Sequence, residues 1–160
     1  MFSPTHYCTA ALALVLCLAL QSCADGFMIG KRAYDSGDYA AAMEAWEPLA
    51  QKGDPRAQIS LGRMYRKGEG VPQDYAAAVI WYHRAAEQGF ATGQFLLGEM
   101  YFVGLGVPQD YVLAHMWYNL AAAQGDEEAR ARRKETAAVM SPALVVEAQK
   151  LARDWRPKKQ

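Results

Sequence analysis

Residues whose types and spacing could do chemistry are few in this chain of 160 residues. Two G-x-G stretches, residues 68–70 and 104–106, have a spacing that also occurs in phosphate-binding loops. Such loops need a preceding strand, or a lysine followed by serine or threonine, and these stretches have neither. A proline follows each stretch and removes a backbone donor. We therefore interpret both stretches as turns.

Zinc sites use histidine, cysteine and acidic side chains at short spacings. After residue 24 the histidines are His83 and His115, and neither lies in an H-x-x-x-H or H-E-x-x-H frame. The three cysteines, Cys8, Cys17 and Cys23, all lie within the first 24 residues. We predict no metal site and no bound cofactor, and we interpret both histidines as surface or boundary residues.

The chain has no cysteine after residue 24, so no thiolate nucleophile is available there, and serines are the next candidates. Ser36, Ser60 and Ser141 remain, and none lies in a G-x-S-x-G elbow. Their positions indicate a turn, a helix and a helix start, respectively. A Ser-His-acid triad assembled in space stays an open alternative, but no local signature supports one. We therefore predict no catalytic residue.

The charges of the chain balance, with 17 acidic and 17 basic residues. This balance argues against the basic footprint of a nucleic-acid-binding protein. The basic run from Arg130 to Lys134 stands out locally. We interpret it as a solvent-exposed helix face, with an acidic partner or a lipid headgroup as the alternative.

The first 24 residues differ in kind from the rest, since they contain no Asp, Glu, Lys or Arg. Residues 10–20 form an unbroken apolar run, which is shorter than the roughly 20 residues of a membrane-spanning helix. The small residues Ser22 and Ala24 follow, as expected near a signal-peptide cleavage site. We predict that residues 1–24 are a signal peptide and that the protein is periplasmic or secreted.

The alternative is a lipoprotein signal, in which Leu20-Gln21-Ser22-Cys23 directs lipidation of Cys23 and anchors the protein. Anchored lipoproteins usually keep a flexible tether, whereas helical sequence begins here within a few residues of Cys23. We therefore favour cleavage after Ala24. No later apolar stretch is long enough to span a bilayer.

A 36-residue repeat predicts the secondary structure that positions the residues of this chain. Residues 57–92 align with residues 93–128 without a gap, and 19 of the 36 positions are identical. A period of this length is typical of solenoids, whose stacked units more often present a binding surface than a catalytic pocket. A degenerate first repeat spans residues 26–52, with a shorter turn around Ser36 and Gly37.

Glycine, proline and aspartate divide the repeats into short helices. Asp54 begins one helix, Gly68 ends it, and Asp74 begins the next, which runs to Gln88. Gly62 and its equivalent one repeat later lack side chains, which predicts a close approach of a neighbouring helix. Further helices are predicted over residues 91–103, 111–124, 126–140 and 142–155, the last two as C-terminal caps within residues 126–155, followed by a loose tail over residues 156–160.

The two full repeats share the pattern L-G-x-x-Y-x-x-G-x-G-V-P-Q-D-Y-x-x-A-x-x-W-Y-x-x-A-A-x-Q-G. This pattern resembles the Sel-one-like repeat, a relative of the tetratricopeptide unit, and the resemblance covers residues 25–155. It implies an all-α fold, an α/α superhelical solenoid of stacked antiparallel helix pairs. It also implies an adaptor or scaffold in protein complexes, and many bacterial members of the family are exported.

The two repeats differ along one face of their first helices, at positions spaced i, i+4 and i+7. The residues are Ile59, Arg63, Arg66, Phe95, Glu99 and Phe102. First helices of stacked pairs tend to line the concave surface, where solenoids make contacts. We predict that these six residues bind a protein or peptide partner, with Phe95 and Phe102 as anchors. The alternative is that both phenylalanines pack against the helix over residues 126–140.

These observations predict a non-enzymatic, exported repeat scaffold with an unidentified protein or peptide as its partner and no nucleic acid. The alternative is hydrolysis of β-lactams or cell-wall material, because cysteine-rich exported members of the family are associated with penicillin binding and hydrolysis. This chain departs from those members, since its repeats contain no cysteine.

Overall fold

The computed structural model of the protein describes residues 26–158, which form eight α-helices. The predicted signal peptide and Cys23 lie outside the described residues. Helix α1 covers residues 26–35. The others are α2 (Tyr39–Gln51), α3 (Pro55–Lys67), α4 (Tyr75–Glu87), α5 (Ala91–Val103), α6 (Tyr111–Ala123), α7 (Glu127–Ala138) and α8 (Pro142–Asp154). The predicted all-α fold is confirmed, and no helix within residues 26–158 is long and apolar enough to cross a membrane.

The helices begin and end at the residues that their local chemistry dictates. The side chains of Asp54, Asp74 and Asp110 accept backbone N–H groups in the first turns of α3, α4 and α6. Gly68 and Gly104 end α3 and α5 in the left-handed conformation, with φ of 75° and 81°. The G-x-G stretches are therefore turns, as predicted.

The helices stack as pairs along the chain. Helix α3 packs against α4, and α5 packs against α6, while α2 contacts α3, α4 contacts α5 and α6 contacts α7. Each helix thus buries one side within its pair and another against the next pair. The result is the stacked arrangement that the repeat predicts.

A glycine and an aromatic ring define the close approach within each pair. A Cβ atom on Gly62 would lie 2.5 Å from Cε1 of Tyr82, and one on Gly98 would lie 2.7 Å from Cε1 of Tyr118. No side chain fits in these spaces, so the prediction of a close helix approach is confirmed. The first pair repeats the contact, because a Cβ atom on Gly30 would lie 2.4 Å from Nε1 of the Trp46 ring.

A buried glutamine also recurs in both full repeats, and the sequence pattern had not singled it out. The Gln58 amide donates to a carbonyl in the last turn of α2 at 3.0 Å and accepts from the Gln88 amide at 2.8 Å. Gln94 and Gln124 repeat the second bond at 2.8 Å. These bonds satisfy buried amides at the junctions of α2 with α3 and of α4 with α5, which helps to fix the register of the stack there.

The C-terminal helix turns back along the array. Helix α8 packs against α6, and the Trp155 ring lies 6.1 Å from that of Trp117, edge to face. The backbone N–H of Lys158 then donates to the carbonyl oxygen of Glu87 at 2.7 Å. The loose tail was predicted over residues 156–160, and the structure describes it only as far as Lys158, where this bond holds the backbone against the end of α4.

The two histidines have different environments. His83 is partly exposed, and its Nδ1 lies 3.6 Å from a carboxylate oxygen of Glu87. His115 is only 2% exposed, and its Nδ1 has no hydrogen-bond partner among the described residues. Burial, together with the charge of Arg133, lowers the pKa of His115. The prediction of a surface or boundary histidine is therefore wrong for His115, which lies within the packed side of α6.

Candidate functional site

The residues predicted to bind a partner lie on the first helices of two adjacent pairs. We call the side of α1, α3 and α5 that carries Lys31, Arg63 and Glu99 the first-helix face. Alignment of Gly30 with Gly62 makes Lys31 the α1 equivalent of Arg63, at an offset of 32 residues. The sequence comparison missed α1 because it used the 36-residue period, whereas the turn between α1 and α2 is shorter.

A groove of about 530 Å³ lies on this face between α1 and α3, and we call it the α1–α3 groove. It combines aromatic and cationic side chains. These are Phe27, Tyr34, Trp46, Lys31, Arg63, Arg66 and Lys67. Two of the six predicted residues, Arg63 and Arg66, thus line one groove together.

The cations of the groove differ in whether an acid within the chain pairs with them. Lys31 lies 2.6 Å from Asp35, and Lys67 lies 3.3 Å from Glu69. Arg63 and Arg66 have no carboxylate within ion-pair distance anywhere in residues 26–158. Two guanidinium groups therefore remain available to an external anion.

The other predicted residues of α3 and α5 are more deeply packed. Ile59 is 8% exposed and belongs to the core between α3 and α5. The Phe95 ring lies 5.9 Å from that of Tyr118, and it packs against a small cluster that includes Ala129 of α7. The Phe102 ring lies 5.4 Å from that of Tyr111. For Phe95 the alternative of packing toward α7 is what the structure shows, while both rings stay partly exposed.

Glu99 is satisfied by neighbouring helices. Its carboxylate accepts a hydrogen bond from the Tyr118 hydroxyl of α6 and lies 3.3 Å from the Arg132 guanidinium of α7. Burial and the bond to Glu99 raise the pKa of Tyr118, and the carboxylate raises the pKa of Arg132. This network joins α5, α6 and α7.

The basic run on α7 is solvated only in part. Arg130 pairs with Glu127 on its own helix at 2.8 Å. Arg132 reaches Glu99, and Arg133 donates to the Asn119 side chain at 2.6 Å. The predicted solvent-exposed face holds for Arg130 and in part for Arg132, whose side chain is 38% exposed, while Arg132 and Arg133 also hold α7 against the preceding pair.

Tyr82 occupies the position of Tyr118 in the preceding repeat, with a different outcome. The residue is completely buried, and its hydroxyl has no hydrogen-bond partner among the described residues. Burial raises the pKa of Tyr82 to about 12, while the charges of Arg66 and Arg63 oppose the shift. The residue equivalent to Glu99 is here Arg63, which cannot accept the hydroxyl proton.

Chemistry other than binding has little support among the described residues. No group of three or more His, Cys, Asp or Glu side chains within residues 26–158 could hold a metal ion. Ser60 lines the α1–α3 groove, but the described residues that line it include no histidine that could activate this serine. The groove presents donors and aromatic rings, which suit recognition of an anion.

Comparisons with known proteins give consistent matches. A family model described as Sel1 repeat matches residues 55–90 and 91–126. A crystal structure of a protective antigen present in uropathogenic Escherichia coli strains, displaying an SLR (Sel-one-like repeat) fold, is similar with a TM-score of 0.80 and 30% identity. A Sel1 repeat protein from Oxalobacter formigenes is similar with a TM-score of 0.64 and 36% identity.

The two matches differ in how much of each protein they cover. They include 83% and 67% of this chain, but only 29% of the first structure and 44% of the second. The chain thus spans less than half the length of either structure. The comparison with curated proteins gave no significant match.

Proposed function

The chain belongs to the Sel1 repeat family of repeat scaffolds, and we propose that it binds a protein or peptide partner on the first-helix face. The observation that carries the proposal is the α1–α3 groove, in which Arg63 and Arg66 lie beside aromatic rings and form no ion pair within residues 26–158. Asp35 also lines the groove, but it pairs with Lys31. Arginine and aromatic side chains are the residue types most enriched at binding hot spots.

The six residues named from the sequence take different roles in this proposal. Arg63 and Arg66 contact the partner directly, because they line the groove. Phe95 and Phe102 extend the contact surface along α5 with their partly exposed rings. Ile59 supports the face from the core, and Glu99 fixes the neighbouring helices in place.

We propose a non-enzymatic role for the same reasons. The family is one of repeat scaffolds, and the donor groups of the groove are arginines rather than an activated nucleophile. A groove that offers guanidinium groups and aromatic rings stabilises a bound segment without transferring a proton or a group to it.

We also propose export, with residues 1–24 as a signal peptide and with lipidation at Cys23 as the alternative. The apolar run and the small residues near Ala24 support cleavage. Mass spectrometry of the amino-terminal peptide distinguishes the two. A mature chain that begins at Asp25 supports cleavage, and a lipidated Cys23 supports anchoring.

Crosslinking in living cells tests the binding face. A photoreactive amino acid placed at Phe102, at the edge of the face, should capture the same partner in the wild-type background and in the control variant Arg153→Ala/Lys150→Ala on α8. The variant Arg63→Ala/Arg66→Ala should lose that partner. Undiminished capture in this variant would show that the partner binds elsewhere.

A further inference from the structure

The two full repeats place a tyrosine hydroxyl at the same position relative to the first helix. The rings of Tyr82 and Tyr118 pack over Gly62 and Gly98, where a Cβ atom would come within 2.5 Å and 2.7 Å of them. The residue after each glycine therefore has the same relation to the hydroxyl. That residue is Arg63 in α3 and Glu99 in α5.

In the second repeat a carboxylate occupies the space in front of the hydroxyl. The Glu99 carboxylate accepts from the Tyr118 hydroxyl and pairs with Arg132 at 3.3 Å. A phenol and a guanidinium thus both donate to one carboxylate, which is the pairing that such donors favour.

In the first repeat the donors are present and the acceptor is missing. Tyr82 is completely buried, and its hydroxyl has no partner among the described residues, although a buried hydroxyl without a bond destabilises a fold. The groups whose charges act on this hydroxyl include Arg66, Arg63 and Tyr34. Arg63 lines the α1–α3 groove and directly follows Gly62, over which the Tyr82 ring packs, so the buried hydroxyl lies behind the Arg63 side chain rather than on the groove surface.

The chemistry of the groove favours a peptide carboxylate as the ligand. Lys31 and Lys67 are already neutralised by Asp35 and Glu69, so two free guanidinium groups remain rather than a continuous basic patch. Asp35 lines the groove and Glu69 lies beside it, so the groove suits one or two carboxylates better than a highly charged polyanion. The partly exposed groove rings, those of Phe27 and Tyr34, offer contact to an apolar side chain next to the carboxylate.

We infer that the α1–α3 groove binds an acidic peptide segment of the partner, with one carboxylate in the place that Glu99 takes in the next repeat. This carboxylate accepts from the Tyr82 hydroxyl and pairs with Arg63. A second acid or the peptide backbone contacts Arg66. The inference rests on the proposed function, since it names the chemistry of the partner at the same face.

The variant Arg63→Glu tests the inference because it supplies the missing carboxylate from within the chain. The purified wild-type protein, labelled with a fluorophore, is bound to an array of acetylated hexapeptides. Wild-type protein should select peptides that carry one or two aspartates or glutamates next to an apolar residue. Affinity for the selected peptides should fall at least tenfold when glutamine replaces their acids, and at least tenfold in Arg63→Glu.

A matched control variant, Lys150→Glu, makes the same change of charge on the exposed side of α8. It should bind the selected peptides within about twofold of wild type, apart from general screening effects. Thermal unfolding of Arg63→Glu shows that the variant is folded, and it should be at least as stable as wild type. Equal binding of the selected peptides by wild type and Arg63→Glu would overturn the inference. Selection of peptides that are not enriched in aspartate or glutamate would also overturn it.

The hydroxyl itself has a separate test. Tyr82→Phe removes only the unpartnered oxygen, so the fold should keep its thermal stability while affinity for the acidic peptides falls three- to tenfold. Unchanged affinity would exclude the hydroxyl from the ligand site. If acids are not selected but crosslinking in cells still depends on Arg63 and Arg66, the carboxylate inference fails while the proposed function stands. If acids are not selected and crosslinking does not depend on Arg63 and Arg66, both the carboxylate inference and the proposed function fail.

Discussion

The two full repeats have the same framework and different surfaces. Tyr82 and Tyr118 illustrate the difference, because only one of their hydroxyls has a hydrogen-bond partner within residues 26–158. Each ring packs over a glycine of the first helix, and each lies in a pair built from the same residues at 19 of 36 positions. The Tyr118 hydroxyl donates to Glu99, whereas the Tyr82 hydroxyl donates to nothing among the described residues. In the second repeat an acid of the chain accepts the tyrosine proton, whereas in the first repeat the donors have no acceptor among the described residues.

The difference teaches how a repeat protein keeps its fold while its function changes. Glycines, alanines and buried glutamines set the spacing of helices, and they recur because every pair must stack in the same way. The residue after the glycine faces outward, so it is free to vary. A change from an acid to arginine there converts an internal bond into an available site.

The largest expected effect tests the shared framework. Gly62→Ala and Gly98→Ala should each lower the free energy of unfolding by about 2–3 kcal/mol, because the added methyl group overlaps an aromatic ring. Urea unfolding followed by circular dichroism measures both. The intrinsic preference of alanine for helices acts in the opposite direction, by about 1 kcal/mol. A stabilised variant at either position would show that the two repeats do not share this contact.

The next effect tests the surface difference. Glu99→Ala should lower the free energy of unfolding by about 1–2 kcal/mol, because it leaves the Tyr118 hydroxyl and the Arg132 guanidinium without their acceptor. Arg63→Ala at the equivalent position should change it by less than about 0.5 kcal/mol. Similar losses in the two variants, measured in the same urea series, would mean that Arg63 has an internal role.

A smaller effect isolates the two hydroxyls. Tyr118→Phe should lower the free energy of unfolding by about 1 kcal/mol, since it removes a hydrogen bond. Tyr82→Phe should leave it unchanged or raise it slightly, because the unpartnered oxygen is lost. Differential scanning calorimetry of the pair gives the comparison directly. A destabilised Tyr82→Phe variant would point to a partner for this hydroxyl within the folded chain.

The smallest effect concerns acid sensitivity. Burial lowers the pKa of His115, so the unfolded chain takes up this proton at a higher pH than the folded protein does. Its contribution to stability is complete above the ordinary histidine pKa of about 6.5 and is lost as the pH falls below it. His115→Val introduces the residue found one repeat earlier, Val79, and should reduce the slope of stability against pH between about 7 and 5. An unchanged slope would assign the acid sensitivity to other groups.

The sequence predicted what depends on local signals and on the period. The aspartate caps, the left-handed glycines and the close approach at Gly62 and Gly98 are confirmed, and the helices begin and end within two residues of the predicted bounds. Each of them follows from backbone geometry within one helix or from identity between the repeats. These signals do not depend on how distant parts of the chain meet.

The site was only half predictable, because it depends on contacts beyond the repeat. Arg63 and Arg66 were named correctly as residues of one face, but the contribution of α1 was missed, because its turn breaks the 36-residue period. The pairing of Glu99 with Arg132 joins α5 to a helix outside the repeats. The burial of His115 is likewise a property of its surroundings that its residue type does not indicate. One relevant difference was already visible in the sequence. The repeats share Tyr82 and Tyr118, but the residue after the shared glycine is Arg63 in one and Glu99 in the other.

The bond from the Lys158 backbone to Glu87 has a consequence for how the molecule unfolds. An array whose units touch only their neighbours frays from its ends, so the last helix is lost first. Here Lys158 contacts a helix 71 positions earlier, and α8 packs against α6 between them. Opening of α8 therefore breaks contacts with two helix pairs at once, so the C-terminal part is expected to melt cooperatively with the array.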